Sequence, residues 1–434
     1  MKVRIKGINS ASGKIMLPGD KSISHRAAII GTIANGVTEI SNFASSADCA
    51  STLKCLKALG VNFERTDNFV RIKGVGLHGL KEPTAVLDCG NSGTTTRLLT
   101  GLLAAQPFLS VLSGDESLNS RPMARAIEPL RKMGANISAR EGGKYAPIVV
   151  QGSTALTAGN FVMPVPSAQV KSALILAGLY AEGSQKISEP SLSRDHTERM
   201  LQYFGVDIQT EGLLVALGKH RQPTGRKMSV PGDISAAAFF LVLGAFRGDG
   251  IILSDVGVNP TRTGILEYFQ SAGASFNLAG QRDTCNEPVA DIEISRSRLS
   301  GSKISGPLIP LLIDELPVLA VAATQALGLT EVRDAAELRI KESDRIKAIV
   351  SQLQKFGADI SECQDGFTVN GPVQLKGAEC EGFDDHRIVM ALTIAGLLAS
   401  GETVVNGCEC VNISFPEFFD RIREICGHEC ISFE

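Results

Sequence analysis

Six stretches of small and apolar residues recur along the chain. They are HRAAIIGTIA (25–34), TTRLLTGLLA (95–104), KSALILAGLYA (171–181), SAAAFFLVLGAF (235–246), ELPVLAVAATQA (315–326) and HRIVMALTIAGLLA (386–399). Apolar on nearly every face, they predict buried helices. Five are followed by a glycine and a short β-like run: Gly36 to Ile40, Gly183 to Ile187, Gly250 to Leu253, Gly328 to Val332 and Gly401 to Val405. The second copy has Pro107 and then FLSVL instead. Later in each copy an amphipathic helix ends at a short glycine motif. The motifs are LGVNF, MGANI, FGVDI, AGASF, FGADI and a degraded CGHEC. Their glycines are Gly60, Gly134, Gly205, Gly273, Gly357 and Gly427, so the steps are 74, 71, 68, 84 and 70 residues. Glycine just past a helix is a left-handed cap, here followed by a strand.

One repeat of strand, apolar helix, strand, amphipathic helix, strand therefore occurs six times. Each repeat is α/β and too large for a solenoid module. Three plus three is the natural grouping. A boundary is expected near 218–228, GKHRQPTGRKM, which has Gly, Pro and cations but no apolar period. A loop over 279–290 is expected to decorate the fourth repeat.

Composition fits two domains of this kind. The chain has 434 residues, with 44 glycines, no tryptophan and 5% aromatics. Glycine is thus above the usual ~7%, and small residues must do much of the packing. A net charge of −3 disfavours nucleic-acid binding by bulk electrostatics but leaves small anions open. Ten scattered cysteines without a C-x-x-C pair predict free thiols in a reducing compartment. The C-terminal group Cys408, Cys410, Cys426, His428 and Cys430 matches no standard zinc spacing. Residues 1–15 lack the apolar core of a secretory signal, and no apolar run reaches the ~18–20 residues of a membrane span. A soluble, cytoplasmic protein is expected.

Candidate chemistry sits where the apolar helices begin: PGDKSISHR (18–26), CGNSGTTTR (89–97), PVPSAQVKS (164–172), VPGDISAA (230–237), IDELP (313–317) and FDDHR (383–387). Helix N-termini present unpaired N–H groups and partial positive charge, which suits anions. Asp20, Asp233, Asp314 and Asp385 can each be read as an N-cap. Capping does not explain Lys21, Arg26, Arg97, Lys171 and Arg387. Cations oppose the dipole at a helix start, which points to anions between them. Arg121 lies beside a proline-started helix in SRPMAR, and SLSRDH offers Ser193 and Arg194. In ELRIKESDR, Lys341 and Arg345 share a face if the segment is helical, and a solvated salt-bridged face is the plain alternative. His25 and His386 read as capping residues. Residues 74–79 match G-x-G-x-x-G, but Pro83 and a β-like run follow, so no dinucleotide site is expected.

The motifs LPGDKSISHR, GNSGTTTR, SRPM, PSAQVKSA, LRIKESDR and DDHR, in this order, resemble the 5-enolpyruvylshikimate-3-phosphate synthase family over essentially the whole chain. The resemblance implies an α/β (α+β) two-domain enolpyruvyl transferase fold. It has six βαβαββ repeats, three per domain, in an inverse α/β-barrel-like arrangement. The expected domains are 20–227, and 1–19 with 228–434. The implied reaction moves the enolpyruvyl group of phosphoenolpyruvate to the 5-hydroxyl of 3-phosphoshikimate and releases phosphate. Motif matching implies 3-phosphoshikimate contacts at Lys21, Ser22, Arg26, Ser167, Ala168, Gln169, Ser193, Arg194, Asp314 and Lys341. It implies phosphoenolpyruvate contacts at Lys21, Asn91, Gly93, Thr94, Arg121, Gln169, Glu342, Arg345, His386 and Arg387. Asp314 resembles the base, while Lys21, Glu342 and His386 are candidates for delivering the proton.

With Ala168 the chain resembles a Ser-Ala-Gln subgroup of that family. A lysine that some members carry before the C-terminal S/T-F-P is absent, since Asn412 and Ile413 stand there. Two alternatives fit less well. A UDP-N-acetylglucosamine enolpyruvyl transferase would carry a cysteine near Arg121, and 114–123 has none. A noncatalytic repeat scaffold would not need acid/base residues beside its anion sites. No cofactor, metal, nucleic acid or membrane partner is implied, and a monomer is expected.

Overall fold

The structure is a computed structural model describing residues 1–434. The six apolar stretches are helices at Lys21–Ile33, Gly93–Ala104, Ala168–Gly178, Ile234–Arg247, Leu316–Gln325 and His386–Leu398. The second repeat shows the pattern. Leu87–Asp88 runs parallel to Leu109–Ser113, with the helix Gly93–Ala104 as the crossover that a parallel pair requires. The amphipathic helix Ala124–Lys132 follows. An antiparallel hairpin, Asn136–Ala139 with Tyr145–Gln151, then closes onto Leu109–Ser113. All six sheets have four strands in this order.

Three strands pair outside the repeat they adjoin in sequence, and for the two in residues 1–19 this is the domain that the resemblance implied. Ala11–Met16 precedes the first apolar helix yet pairs in parallel with Gly248–Gly257 of the fourth repeat. Lys227–Ser229 precedes the fourth apolar helix yet pairs in parallel with Val37–Ser41 of the first. The first and fourth repeats have thus exchanged opening strands. Lys2–Lys6 lies between Glu402–Asn406 and Ile431–Phe433, completing the sixth sheet. A strand's alternation says which face is buried but not which neighbour it pairs with.

The chain divides into two compact units. One is Gly19–Val230 with Asp283–Glu287; the other is Met1–Pro18, Pro231–Arg282 and Pro288–Glu434. Each has its own apolar core. Small residues let helices approach closely. A Cβ on Gly101 would lie 2.3 Å from the Ala173 carbonyl oxygen, so the helices Gly93–Ala104 and Ala168–Gly178 meet backbone to backbone. The eleven repeat glycines named above, six at amphipathic-helix ends and five at strand entries, all have φ between 84° and 96°. That region excludes most side chains, which explains much of the glycine excess.

One sequence expectation needs correction and another gains detail. The segment 218–228, expected near the boundary, is pinned to the first unit. Arg221 donates to the carbonyls of Gly178, Ala181 and Gly183, and Gln222 Nε2 donates to the Ile33 carbonyl at 2.9 Å. The chain leaves the first unit at Val230. Residues 279–290 are not an irregular loop. They form the end of a hairpin, Phe276–Thr284 with Glu287–Ile294, turned at Cys285 (φ 55°) and Asn286 (φ 65°). Two consecutive left-handed residues make the tight turn that matches strand twist. No single helix is long and apolar enough to cross a membrane. All ten cysteines are free, and no group of three or more His, Cys, Asp or Glu side chains is placed to hold a metal ion.

Candidate functional site

In the first unit, three helix starts carry the expected residues. Asp20, Ser92 and Ser167 cap them, accepting from the backbone N–H of Ile23, Thr95 and Val170. Lys21 is the first residue of its helix, and its Nζ donates to Asp48 Oδ2 at 2.8 Å. Ser22 follows, half-buried. Arg26 is buried and donates to three acceptors. Nε donates to Thr197 Oγ1 (2.7 Å), Nη1 to the Ser22 carbonyl (2.9 Å) and Nη2 to Ser172 Oγ (2.8 Å). Burial, aided by the nearby Arg194, pushes its guanidinium down to about 10.

The second helix start is an arginine-rich corner. Arg121 Nη2 donates to Asn91 Oδ1 and to Ser117 Oγ (3.0 Å), and Asn91 Nδ2 donates to Asp115 Oδ2 at 2.8 Å. Arg97 Nη1 donates to Gln169 Oε1 at 2.8 Å, and Gln169 Nε2 donates to Thr94 Oγ1 at 3.0 Å. Gln169 therefore joins the second helix start to the third. A Cβ on Gly93 would stand 2.6 Å from Arg97 Nη1, so any side chain there would displace that guanidinium. The helix expected at Pro122 begins later, at Ala124. Ala168 opens the third helix, and Ser172 Oγ donates to the Ala168 carbonyl at 2.6 Å. Ser193 is buried with its hydroxyl donating to Glu189, and Arg194 beside it is half-buried.

Two residues differ from the sequence reading. Lys171 does not face an anion site. It is 2% exposed and held by Glu189 and Glu198. His25 does not cap its helix. Its Nδ1 lies 2.7 Å from Thr52 Oγ1, which bonds Thr95 Oγ1 (2.6 Å), which donates to Ser92 Oγ (2.7 Å). A buried chain thus runs from His25 to the cap of the second helix. Burial, with Lys21 and Arg26 adding repulsion, holds the imidazole well below its ordinary value. A histidine whose folded value is depressed contributes stability above about pH 6.5, and that stability is lost as pH falls. The fall in unfolding midpoint between pH 7 and pH 5 should therefore be larger for wild type than for His25→Asn. One proton sets the ceiling at about 1.4 kcal/mol per pH unit. Equal falls in the two proteins would refute it.

In the second unit, Asp233 and Asp385 cap their helices, accepting from Ser235 N–H and Arg387 N–H. Asp314 does not: the cap position is Glu315, without a side-chain cap bond. Its carboxylate instead lies among cations, 3.5 Å from Arg345 Nη1, 3.7 Å from Lys341 Nζ and 3.9 Å from Arg387 Nη2. Arg387 Nη1 also donates to the Asp314 carbonyl at 3.0 Å. Lys341 and Arg345 do not share a helix face. A 3₁₀ turn ends at Ile340, Lys341 follows it, and a new helix begins at Arg345 behind the Asp344 cap.

Nor is this a solvated surface face. Arg345 is 1% exposed and reaches Asp385 (2.8 and 3.2 Å) and Glu342 (2.6 Å). Burial opposes its charge, but Asp385, Glu342 and Asp314 outweigh that and hold the guanidinium above its ordinary value. His386 is the buried first residue of the last apolar helix, beside Arg387.

The sequence reading missed Asp48, Thr52, Thr95, Asp115 and Glu189. Asp48, Thr52, Asp115 and Glu189 lie outside the motifs, so no local spacing flagged them; Thr95 lies inside GNSGTTTR, but its bond to Thr52 spans 43 residues.

These features can be set against known proteins. The family model EPSP synthase (3-phosphoshikimate 1-carboxyvinyltransferase) matches residues 5–422. A 3-phosphoshikimate 1-carboxyvinyltransferase from Desulforamulus reducens is 48% identical over 98% of this chain and 99% of its own length. One from Pelotomaculum thermopropionicum is 52% identical over 95% of this chain and 96% of its own. An EPSP synthase structure from Acinetobacter baumannii superposes with a TM-score of 0.88 at 41% identity, covering 99% of both chains. A fold, an order of motifs and an identity that all extend end to end leave one assignment: the chain belongs to the EPSP synthase (3-phosphoshikimate 1-carboxyvinyltransferase) family.

Proposed function

We propose that the chain transfers the enolpyruvyl group of phosphoenolpyruvate to the 5-hydroxyl of 3-phosphoshikimate and releases phosphate, on the route toward chorismate. The observation that carries the acid/base part is Asp314. Of the four aspartates that could have been caps, it is the one whose carboxylate is turned to cations instead.

The chemistry divides among the named residues. Protonation of the phosphoenolpyruvate methylene carbon makes C2 cationic. Asp314 takes the 5-hydroxyl proton as that oxygen attacks C2. The tetrahedral adduct then loses phosphate, and loss of a methyl proton restores the double bond. Lys21, Glu342 and His386 are the candidates for moving the proton at the methylene carbon. Lys21, Ser22, Arg26, Ser167, Ala168, Gln169, Ser193, Arg194, Asp314 and Lys341 bind 3-phosphoshikimate. Lys21, Asn91, Gly93, Thr94, Arg121, Gln169, Glu342, Arg345, His386 and Arg387 bind phosphoenolpyruvate. Each substrate carries a carboxylate and a phosphate, which suits cations beside helix N-termini. Holding two reactants in place can supply up to ~7–11 kcal/mol of the barrier. The protein acts as a cytoplasmic monomer.

The test is to mix the protein with both substrates and measure phosphate and the enolpyruvyl product. Release that requires both substrates is expected. Turnover with UDP-N-acetylglucosamine in place of 3-phosphoshikimate would overturn the substrate assignment. Tight anion binding without turnover of either would make the chain a scaffold.

A further inference from the structure

A lysine in the first turns of the third apolar helix is buried against two carboxylates. Lys171 Nζ lies 2.8 Å from Glu189 Oε1 and 2.9 Å from Glu198 Oε1, and donates to the Ser193 carbonyl at 3.3 Å. The three charged side chains are 2–3% exposed. A buried ion cluster is weak support for stability by itself, because desolvation offsets the attraction. Its connections are more informative.

Lys171 N–H donates to the Ser167 carbonyl at 3.0 Å, so the lysine sits one turn beyond the cap of that helix. Glu189 holds Lys171 with one oxygen and the Ser193 hydroxyl with the other. The ammonium thus ties the helix turn bearing Ser167 and Gln169 to the loop bearing Ser193 and Arg194. Both segments are assigned above to 3-phosphoshikimate, and their hydroxyls, amide and guanidinium suit its phosphate. No named residue of the phosphoenolpyruvate set other than Gln169 lies on either segment.

We propose that Lys171, acting through Glu189, is a positioning residue that sets the two halves of the phosphate grip for 3-phosphoshikimate. This rests on the substrate assignment above. It touches no substrate itself. Its loss would leave two buried carboxylates unpaired behind a site that must accept a dianion, and would free the Ser193 loop from the helix.

The experiment is steady-state kinetics with each substrate varied in turn. Wild-type turnover is measured first, so a failed substrate assignment shows itself independently of the variants. Lys171→Met should raise KM for 3-phosphoshikimate by about tenfold or more, with kcat and KM for phosphoenolpyruvate within about twofold. Glu189→Gln, near-isosteric and leaving Lys171 paired with Glu198, should raise the same KM by a smaller factor. If Lys171→Met does not fold, Glu189→Gln decides alone. A purely structural role would lower the unfolding midpoint and leave KM of the folded enzyme unchanged. That result, or equal rises in KM for both substrates, would overturn the proposal.

Discussion

Asp314→Ala should lower kcat by about 10²–10⁴-fold, the range that a positioned general base contributes. The fold should survive. Asp314 is partly exposed and caps no helix. Its largest neighbour, Arg345, keeps Asp385 and Glu342 after the change. Lys341 and Arg387 lose a partner at 3.7–3.9 Å, a loose contact at the rim of solvent. Circular dichroism and the unfolding midpoint should therefore stay close to wild type while turnover collapses. Asp314→Asn separates charge from shape. It keeps the volume and one acceptor but cannot take a proton, so it should be nearly as slow as Asp314→Ala. A near-normal rate in either variant would remove Asp314 from the base role.

The repeat was legible because two local rules recur in it. Apolar helices advertise themselves by composition, and a left-handed position after a helix calls for glycine. Both rules act over a few residues, so Gly60, Gly134, Gly205, Gly273, Gly357 and Gly427 marked the period before any pairing was known. Strand partnership obeys no local rule. Ala11–Met16 looks like the opening strand of the first repeat, and the chain order allows it, yet it pairs with the fourth.

The site shows the same division. Motif residues at helix starts could be named from sequence. Their environment could not, since the fold decides which carboxylates each cation meets. Lys171 and Arg345 are both buried, against Glu189 and Asp385 that lie 18 and 40 residues away in the chain. The family resemblance supplied roles that spacing alone could not. It said nothing of which carboxylate would face Lys171.

Arg345→Met should be the most damaging single change in the second unit. Removing one partner of a buried ionic network typically costs about 3–5 kcal/mol, because the carboxylates left behind remain desolvated. Asp385 is fully buried and would lose its two contacts to the guanidinium. It also caps the helix that begins with His386 and Arg387, so strain there passes directly to both residues. Glu342 would lose its 2.6 Å partner. A large fall in unfolding midpoint and loss of measurable turnover are expected together.

Arg345→Lys should recover less than its charge suggests, because an ammonium cannot reproduce the planar fork that reaches Asp385 and Glu342 at once. The double variant Arg345→Met/Asp385→Asn distinguishes fold from function. It removes the unpaired buried charge and keeps a side-chain oxygen for the Arg387 N–H cap, so a good part of the lost stability should return. Turnover should not, since Glu342 and Asp314 still lack the cation between them. Recovery of both together would mean that Arg345 serves the fold alone.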